Sequence, residues 1–443
     1  MSDLLFSKFK EDTDVVKQAS RYVIAFLAVL CILFSLLLSA TFVPKDKIQE
    51  NYQESVAFLM ERPTSFYFHT FVHGSKLDYY ADAITLSIGY YLGNTDPLTS
   101  SMWCSYYGAN SNMMNEYLKE SVETEIEPNQ EYLRYWHGSA ALMRILHLAL
   151  NIKQIYAFHV VIMIALAAIL ITMLFRYGYK AEAAAFIISM VVVGVWYVPL
   201  CLEYTYSFLC MLVASIVGLR LVLKEKYSWI GPFFLITGMI TVYFDFLTTE
   251  TLSFLVPLLF ILRISRRQGK EKALLAVNSC AAWLIGYLGM WLMKWVLATI
   301  ILGIDVMPYV NEHIAERLNG KVVGYYMTGN FYLDTILKNL QRLFPYEYGL
   351  YGAALVMMFA VVIFVLPAVR GKLSVRRKIN GFNILLYVCI GLIPYVRYLV
   401  LNNHSYVHYF FTYRAQAATV IAISFIFFEL FEKSPRKAVR MNV

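Results

Sequence analysis

The sequence predicts an all-α integral membrane protein that crosses the bilayer about ten times. Three observations lead to this prediction: 59% of the residues are hydrophobic, only 15% are charged, and long apolar runs alternate with short basic clusters. Soluble proteins carry charges at about 25% of their positions, because their surface faces water. Much of this chain must therefore face lipid, and residues 1–443 are expected to form a single polytopic domain.

The apolar runs predict the number of spans, because a helix needs about 20 apolar residues to cross the hydrocarbon core. The fifth and sixth predicted spans are separated only by residues 245–251, which predicts a tight hairpin or a partly broken pair. The first span is interpreted as a retained signal anchor. The ten predicted spans are residues 22–43, 156–175, 183–200, 207–223, 229–244, 246–264, 274–302, 350–368, 384–401 and 415–431.

Lysine and arginine are concentrated in every second connection. They precede the first predicted span and follow the second, fourth, sixth, eighth and tenth. Cytoplasmic loops of membrane proteins carry an excess of these residues, so both termini are predicted to be cytoplasmic. The basic residues do not gather on one face, as nucleic-acid-binding proteins require. Membrane lipid is therefore an expected partner, and nucleic acid is not.

Two long connections are predicted on the extracytoplasmic side. Residues 44–151 are rich in acids, Asn, Ser and Tyr, and residues 303–349 form the second long loop. Long loops are usually functional or disordered, and the aromatic and amphipathic segments of these two favour order. Residues 140–152 carry apolar side chains at helical spacing, with Arg144 and His147 on the other side. This pattern predicts a helix that lies in the outer membrane interface.

Two groups of acidic residues are candidate catalytic sites. Asp78 and Asp82 flank Tyr79 and are four residues apart, so on a helix they would share one face. Asp245 and Glu250 lie in the short turn between the fifth and sixth predicted spans. A carboxylate near the membrane surface can act as a general base, and ionisable groups close to apolar depth are functional candidates. The alternative for each group is a solvated loop or turn.

Two histidines before the first acidic group have a spacing that a metal pair could use. No clear third ligand accompanies His69 and His73, so hydrogen-bonded interfacial histidines are the preferred interpretation. No Cys or Cys/His spacing predicts zinc. No metal-ligating residue is assigned, although a divalent metal remains an option for the cofactor.

Cationic residues on the extracytoplasmic side are candidate ligands for a phosphate. The positive-inside bias makes Lys and Arg uncommon there, so an anionic ligand is one way to offset them, and the arginine fork matches phosphate. The alternatives are pairing with lipid headgroups and, for the lysine, snorkelling to the interface. The candidates are Arg134, His137, Lys294, Arg397, His404, His408 and Arg414.

Four sequence segments carry a resemblance to a known superfamily. They are LDYYADAITL, RYWHG, YFDFLTTE and NNHSYVHYFFTYR. Together with a long acidic first outer loop, an interfacial helix and polar outer ends of spans, they resemble the GT-C superfamily of membrane glycosyltransferases. The resemblance is closest to uncharacterised polytopic membrane proteins of Gram-positive bacteria, spans most of the chain and implies a bacterial plasma membrane.

The resemblance implies sugar transfer from a polyprenyl-phosphate donor to a cell-envelope polysaccharide or teichoic acid. GT-C enzymes place a catalytic Asp in the first outer loop, where Asp82 and Asp78 lie; Asp82 is the first choice for the base and Asp245 the second. The cationic residues would hold the donor phosphate, and Glu250 and Tyr79 the acceptor. Direct displacement with a single base would invert the anomeric centre. The alternatives are a transporter or flippase for a lipid-linked saccharide and a non-catalytic subunit of an envelope-synthesis complex.

Overall fold

The computed structural model describes residues 2–70, 72–109, 111–319, 327–371 and 373–433. Nearly all regular structure in these ranges is helical, and short 3₁₀ segments join many of the helices. Two small two-stranded antiparallel sheets are the exception among the described residues: β1 (Ser65–Tyr67) pairs with β2 (Lys76–Asp78), and β3 (Leu373–Val375) pairs with β4 (Phe431–Lys433). The predicted all-α class is therefore confirmed.

The described ranges contain twenty α-helices, of very different lengths. In chain order they are α1 (Ser2–Thr41), α2 (Lys45–Met60), α3 (Tyr79–Tyr91), α4 (Pro97–Trp103), α5 (Met114–Glu123), α6 (Gly138–Leu146), α7 (Ile152–Arg176), α8 (Lys180–Val192), α9 (Leu202–Leu223), α10 (Ile230–Phe244), α11 (Leu252–Ile264), α12 (Gly269–Leu302), α13 (Met307–Asn319), α14 (Phe331–Leu340), α15 (Gly349–Ala360), α16 (Leu366–Val369), α17 (Gly381–Val400), α18 (Asn402–Val407), α19 (Tyr409–Thr412) and α20 (Ala417–Leu430).

Several helical segments are long and apolar enough to cross a membrane. Their outer surfaces expose large aliphatic side chains: Val161 is 64%, Leu288 56% and Ile300 71% exposed. Broad apolar surfaces of this kind are rare on water-soluble monomers, so the chain is a multi-pass membrane protein. Within the described ranges these segments number eight: Ala19–Thr41, Ile152–Arg176, Leu202–Leu223, Tyr227–Phe244, Gly269–Leu302, Tyr346–Ile363, Gly381–Val400 and Tyr409–Leu430.

Two of the ten predicted spans contain only short helices. The third, residues 183–200, is divided into α8 and a 3₁₀ segment because Gly194 adopts a φ of +62°, a left-handed conformation that glycine tolerates. The sixth, residues 246–264, contains α11, which has 13 residues and follows a polar turn. The apolar runs are present as predicted, but these backbone breaks leave helices too short to cross a bilayer alone.

The long helices pack in pairs, of which the first two named here are parallel and the third is antiparallel. α10 lies along α12, α9 along α11, and α17 along α20. Glycine allows the first pair to approach closely, because a Cβ atom on Gly286 would lie 2.0 Å from the carbonyl oxygen of Leu235, and one on Gly238 would lie 2.3 Å from that of Trp283. Small residues at such interfaces are typical of helix packing in membranes.

One end of the bundle is held together by polar side chains. Arg263 of α11 pairs with Glu182 of α8 at 2.9 Å and with Glu429 of α20 at 2.7 Å. Lys272 of α12 donates a hydrogen bond to Asn383 of α17 at 3.1 Å. The first turns of α8, α12 and α17 therefore meet the last turns of α11 and α20 at this end, which we call the ion-pair end.

The helix predicted at the outer interface packs against α1 and α3. Its main helical part is α6, and Arg144 and His147 are 2% and 0% exposed. The Arg144 guanidinium donates to the carbonyl oxygens of Val43 at 2.5 Å and of Gly89 and Tyr90 at 2.8 Å each. The sequence analysis placed these two basic side chains opposite the apolar face of the helix, and the structure buries both. Arg144 is buried because carbonyl groups at the ends of α1 and α3 lack helical partners and accept its hydrogen bonds.

Candidate functional site

A cavity of about 200 Å³ at the end of the bundle opposite the ion-pair end brings acidic and basic side chains together. Its location follows from the alternating directions of successive helices, since it lies where α10 ends and α9 and α11 begin. The polar and aromatic residues that line it are Asp78, Tyr80, Thr85, Tyr106, Tyr132, Arg134, Tyr135, His137, Glu203, Phe246, Arg317, His404 and His408. We call it the polar cavity.

Five separate parts of the chain position the acidic and basic side chains of the polar cavity. Asp78 ends β2, directly before α3, and Glu203 lies in the first turn of α9. Arg134 precedes α6, Arg317 lies in the last turn of α13, and His404 lies in α18. Residues far apart in the sequence meet here because successive helices run in opposite directions and end at the same level.

Asp78 is the candidate base that lines the polar cavity. Its Oδ2 atom lies 3.9 Å from Nζ of Lys76, and its side chain is 9% exposed. Burial raises the pKa of the Asp78 carboxyl above its ordinary value, while the charge of Lys76 acts in the opposite direction. A carboxylate with a raised pKa is a better proton acceptor near neutral pH.

Glu203 is a candidate that the sequence analysis missed. It lines the polar cavity, and its Oε2 atom is buried without a hydrogen-bond partner among the described residues. A buried carboxylate oxygen without a partner is unfavourable, which points to a ligand or a shared proton. The sequence feature that could have identified Glu203 is its position as an acid between two apolar runs.

Two arginines form the cationic side of the polar cavity. Nη1 of Arg134 lies 2.9 Å from Nδ1 of His313, and Nη2 donates to the hydroxyl of Tyr132 at 3.0 Å. Arg317, which the sequence analysis did not single out, donates to the carbonyl oxygen of His313 at 3.2 Å. In the described chain the Nε atoms of both arginines are buried without a partner. These open donors favour an anionic ligand.

Three histidines complete this side. The rings of His404 and His408 lie one helical turn apart, with centroids separated by 4.6 Å, and His137 lies beside them in the lining. Burial lowers the pKa of His408 to about 3, and it lowers the pKa of His404 well below its ordinary value. At neutral pH both rings are uncharged, and each keeps one N–H group that can donate to an anion.

His137 has one ring nitrogen engaged and one open. Its Nε2 atom lies 2.8 Å from the carbonyl oxygen of Tyr132, and Nδ1 is buried without a partner in the described part of the chain. Burial lowers its pKa to about 3. His137 has a φ of +57° at the start of α6. This left-handed turn of the backbone sets the position of its side chain.

Asp82, the first choice for the base, does not line the polar cavity. Its carboxylate is 0% exposed and accepts hydrogen bonds from the Tyr156 hydroxyl at 2.5 Å, the Leu202 N–H at 2.9 Å and the Cys201 thiol at 3.4 Å. Burial raises its pKa to about 7. Tyr79, a predicted acceptor ligand, stacks on Tyr156 and also lies outside this lining. Asp82 therefore joins α3, α7 and the start of α9.

Asp245, Glu250 and Arg397 form a separate buried cluster. Nε of Arg397 lies 2.9 Å from Oε1 of Glu250, and Nη1 donates to the Ser405 hydroxyl at 2.9 Å. Asp245 accepts hydrogen bonds from the N–H and the hydroxyl of Thr248, and burial raises its pKa to about 7. None of these three residues is in the lining of the polar cavity. Arg397 and Glu250 neutralise each other instead of facing a ligand there.

Lys294 and Arg414 also lie outside the polar cavity. Nζ of Lys294 donates to the carbonyl oxygens of Ser101 at 3.1 Å and Met102 at 3.0 Å. Arg414 donates to the carbonyl oxygen of Gly74 at 3.0 Å. Both side chains are 0% exposed. Each cation therefore binds backbone carbonyl groups at a chain turn, where the sequence analysis expected a phosphate.

No cluster of three or more His, Cys, Asp or Glu side chains within the described ranges has the arrangement of a metal site. His73, one of the two histidines considered for a metal pair, has Nδ1 3.1 Å from the hydroxyl of Tyr409. This contact agrees with a hydrogen-bonded histidine.

No known protein family, no curated protein and no solved structure matches this chain. The function is therefore inferred from the chemistry of the polar cavity, which sets two carboxyl groups against two arginines and three uncharged histidines. Such a set can accept a proton on one side and hold an anion on the other.

Proposed function

We propose that this chain is a membrane glycosyltransferase of the GT-C type. It transfers a sugar from a polyprenyl-phosphate donor to a cell-envelope glycan or teichoic acid and inverts the anomeric centre. The observation that carries this proposal is the polar cavity, in which Asp78 and Glu203 share one space with Arg134 and Arg317. The aromatic side chains of Tyr80, Tyr106 and Tyr132 in the same lining offer flat surfaces on which a sugar ring can pack.

In the proposed reaction the acceptor hydroxyl attacks C1 of the donor sugar. The new C1–O bond forms as the bond from C1 to the phosphate oxygen breaks, and the electron pair leaves with the phosphate. Asp78 takes the hydroxyl proton, for which its raised pKa suits it. The open N–H groups of Arg134 and Arg317 stabilise the charge on the departing phosphate, so no general acid is needed.

The proposed orientation places the polar cavity on the extracytoplasmic side. The predicted cytoplasmic loops border the ion-pair end, where Arg263 and Lys272 lie, and the polar cavity is at the other end. In this topology α8 and α11, each with its adjoining segment, complete ten spans of a bacterial plasma membrane, and both termini are cytoplasmic. The donor phosphate then reaches the cavity from the outer leaflet.

Proteoliposomes that contain the chain and a labelled polyprenyl-phosphate sugar test the proposal. Transfer of label to an added glycan acceptor supports the enzyme. Movement of intact donor between leaflets without transfer would indicate a flippase, and the absence of both would indicate a non-catalytic subunit. Either of these two results would contradict the proposed transfer.

Removing one cationic donor should weaken catalysis strongly. In Arg134→Gln and Arg317→Gln, kcat/KM for the donor should fall by about 100-fold each, because a donor aimed at a developing negative charge contributes on this order. Arg176→Gln is the matched control, since Arg176 is an exposed arginine at the end of α7. Transfer rates that match this control in both cavity variants would exclude the phosphate role.

The raised pKa of Asp78 predicts the pH dependence of transfer. The base must be ionised, so the rate is full above its pKa and falls as the pH drops below it. Lys76 lowers this pKa, so Lys76→Met should move the acid limb of the kcat/KM profile to higher pH. Lys47→Met, at an exposed lysine of α2, should leave the profile unchanged. An unshifted limb in Lys76→Met would contradict the assignment of Asp78.

A further inference from the structure

A second cavity lies among the membrane-spanning helices, between α1, α9 and α10. Its volume is about 560 Å³, which is within the range of pockets that hold small organic ligands. The wall is almost entirely apolar and includes Val213, Val217 and Phe233. It extends along α10 from Trp229 to Phe244. We call it the apolar cavity.

Among the residues whose side chains the structure describes, Arg21 is the one charged residue in this wall. Its guanidinium lies over the ring of Trp229, 5.6 Å from the centroid. The ion pairs found among the described residues do not include Arg21. Tryptophan and arginine at the end of a span are typical of the level of lipid headgroups. The described residues therefore give the cavity an apolar interior with a cation at one end.

The charged end of the apolar cavity is far from the polar cavity. Arg21 precedes Phe34 in α1 by 13 residues, which is about 20 Å along a helix. Phe34 packs against Trp136, with ring centroids 6.5 Å apart, and Trp136 directly precedes His137 of the polar cavity. A donor whose phosphate is bound at Arg134 therefore does not place that phosphate at Arg21.

We propose that the apolar cavity binds one hydrocarbon chain of an anionic phospholipid, whose phosphate lies at Arg21. An apolar cavity between spanning helices is complementary to an acyl chain, and the single cation at its end is complementary to a negatively charged headgroup. The lipid belongs to the leaflet at the Arg21 end and is separate from the sugar donor. Its binding does not depend on the proposed transfer activity.

Native mass spectrometry of the full chain in detergent, with phosphatidylglycerol and phosphatidylcholine as probes, tests the headgroup contact. One juxtamembrane cation strengthens anionic lipid binding by about fivefold. Arg21→Gln should therefore lose about fivefold in affinity for phosphatidylglycerol and leave phosphatidylcholine unchanged. Arg176→Gln removes a similar exposed cation outside the cavity and should change neither affinity.

Filling the cavity tests the chain contact. Val217 is 38% exposed, so Val217→Trp should occupy the cavity without crowding the core and should remove most binding of both lipids. Val161→Trp, at a 64% exposed position of α7, is the control, and Val213→Trp replaces Val217→Trp if that variant fails to fold.

Two results would overturn the inference. The first is phosphatidylglycerol binding that is unchanged in both Arg21→Gln and the folded cavity-filling variant. The second is a copurified polyprenyl phosphate that Arg134→Gln releases and Arg21→Gln does not, which would assign the apolar cavity to the tail of the sugar donor. The lipid-binding measurements use no sugar donor. If the chain turns out not to transfer sugar, they still test whether the apolar cavity binds a phospholipid.

Discussion

Replacement of Asp78 by asparagine is expected to remove sugar transfer while the chain stays folded in the membrane. Asparagine has the same shape but cannot accept the hydroxyl proton, and a general base contributes about 10²–10⁴-fold to a rate. The contact with Lys76 is long, at 3.9 Å, and asparagine keeps an oxygen that can accept from the backbone N–H groups of Tyr80 and Ala81, so the thermal unfolding temperature should change little. Single-turnover transfer in proteoliposomes measures the loss.

Two further variants make this result specific. Asp46→Asn, at a 72% exposed carboxylate of α2, should keep full activity. Asp82→Asn should chiefly reduce stability, by about 1–3 kcal/mol, because it disturbs a buried acceptor of several hydrogen bonds. An active Asp78→Asn together with a stable but inactive Asp82→Asn would return the base role to Asp82.

Replacement of Arg397 by leucine is expected to destabilise the fold by about 3–5 kcal/mol. Arg397 and Glu250 are 7% and 5% exposed and lie 2.9 Å apart, so the variant leaves a buried carboxylate without its partner. The pair joins α17 to the turn before α11, and its loss should loosen both. Denaturant unfolding in detergent, followed by circular dichroism, measures the change.

The double variant Arg397→Leu/Glu250→Leu should recover most of this stability, because it removes both charges together. Arg266→Leu breaks an ion pair with Glu225 in which both side chains are exposed, and it should have little effect. If Arg397→Leu were as stable as Arg266→Leu, the buried pair would not be structural and Arg397 would again be a candidate phosphate ligand.

Arg134 and Arg397 show why residue type was not enough to identify ligands. Both lie in polar, aromatic segments on the predicted extracytoplasmic side. Arg397 finds its partner Glu250, 147 positions away in the sequence, whereas Arg134 keeps a buried Nε atom without a partner among the described residues. A local pattern does not contain such distant pairings, so the prediction treated the two arginines alike.

Glu203 and Arg317 were missed for a related reason. Glu203 stands alone between apolar runs, and Arg317 is one of several charged residues in the second long loop. Neither has a neighbour in the sequence that suggests a shared site. Their relation to Asp78 arises only when the start of α9 and the end of α13 reach the same cavity.

The amino-acid sequence alone was sufficient to establish a helical, multi-pass membrane protein with long polar segments between its spans. The reason is that a bilayer requires long apolar helices whose backbone hydrogen bonds are local. Each such helix is visible in the sequence as one continuous run of apolar residues. Only the tertiary structure decided that Asp78 shares a cavity with Arg134, while Asp82 and Arg397 are committed to structural contacts. Those relations depend on how distant helix ends are placed side by side, which no local stretch of residues specifies.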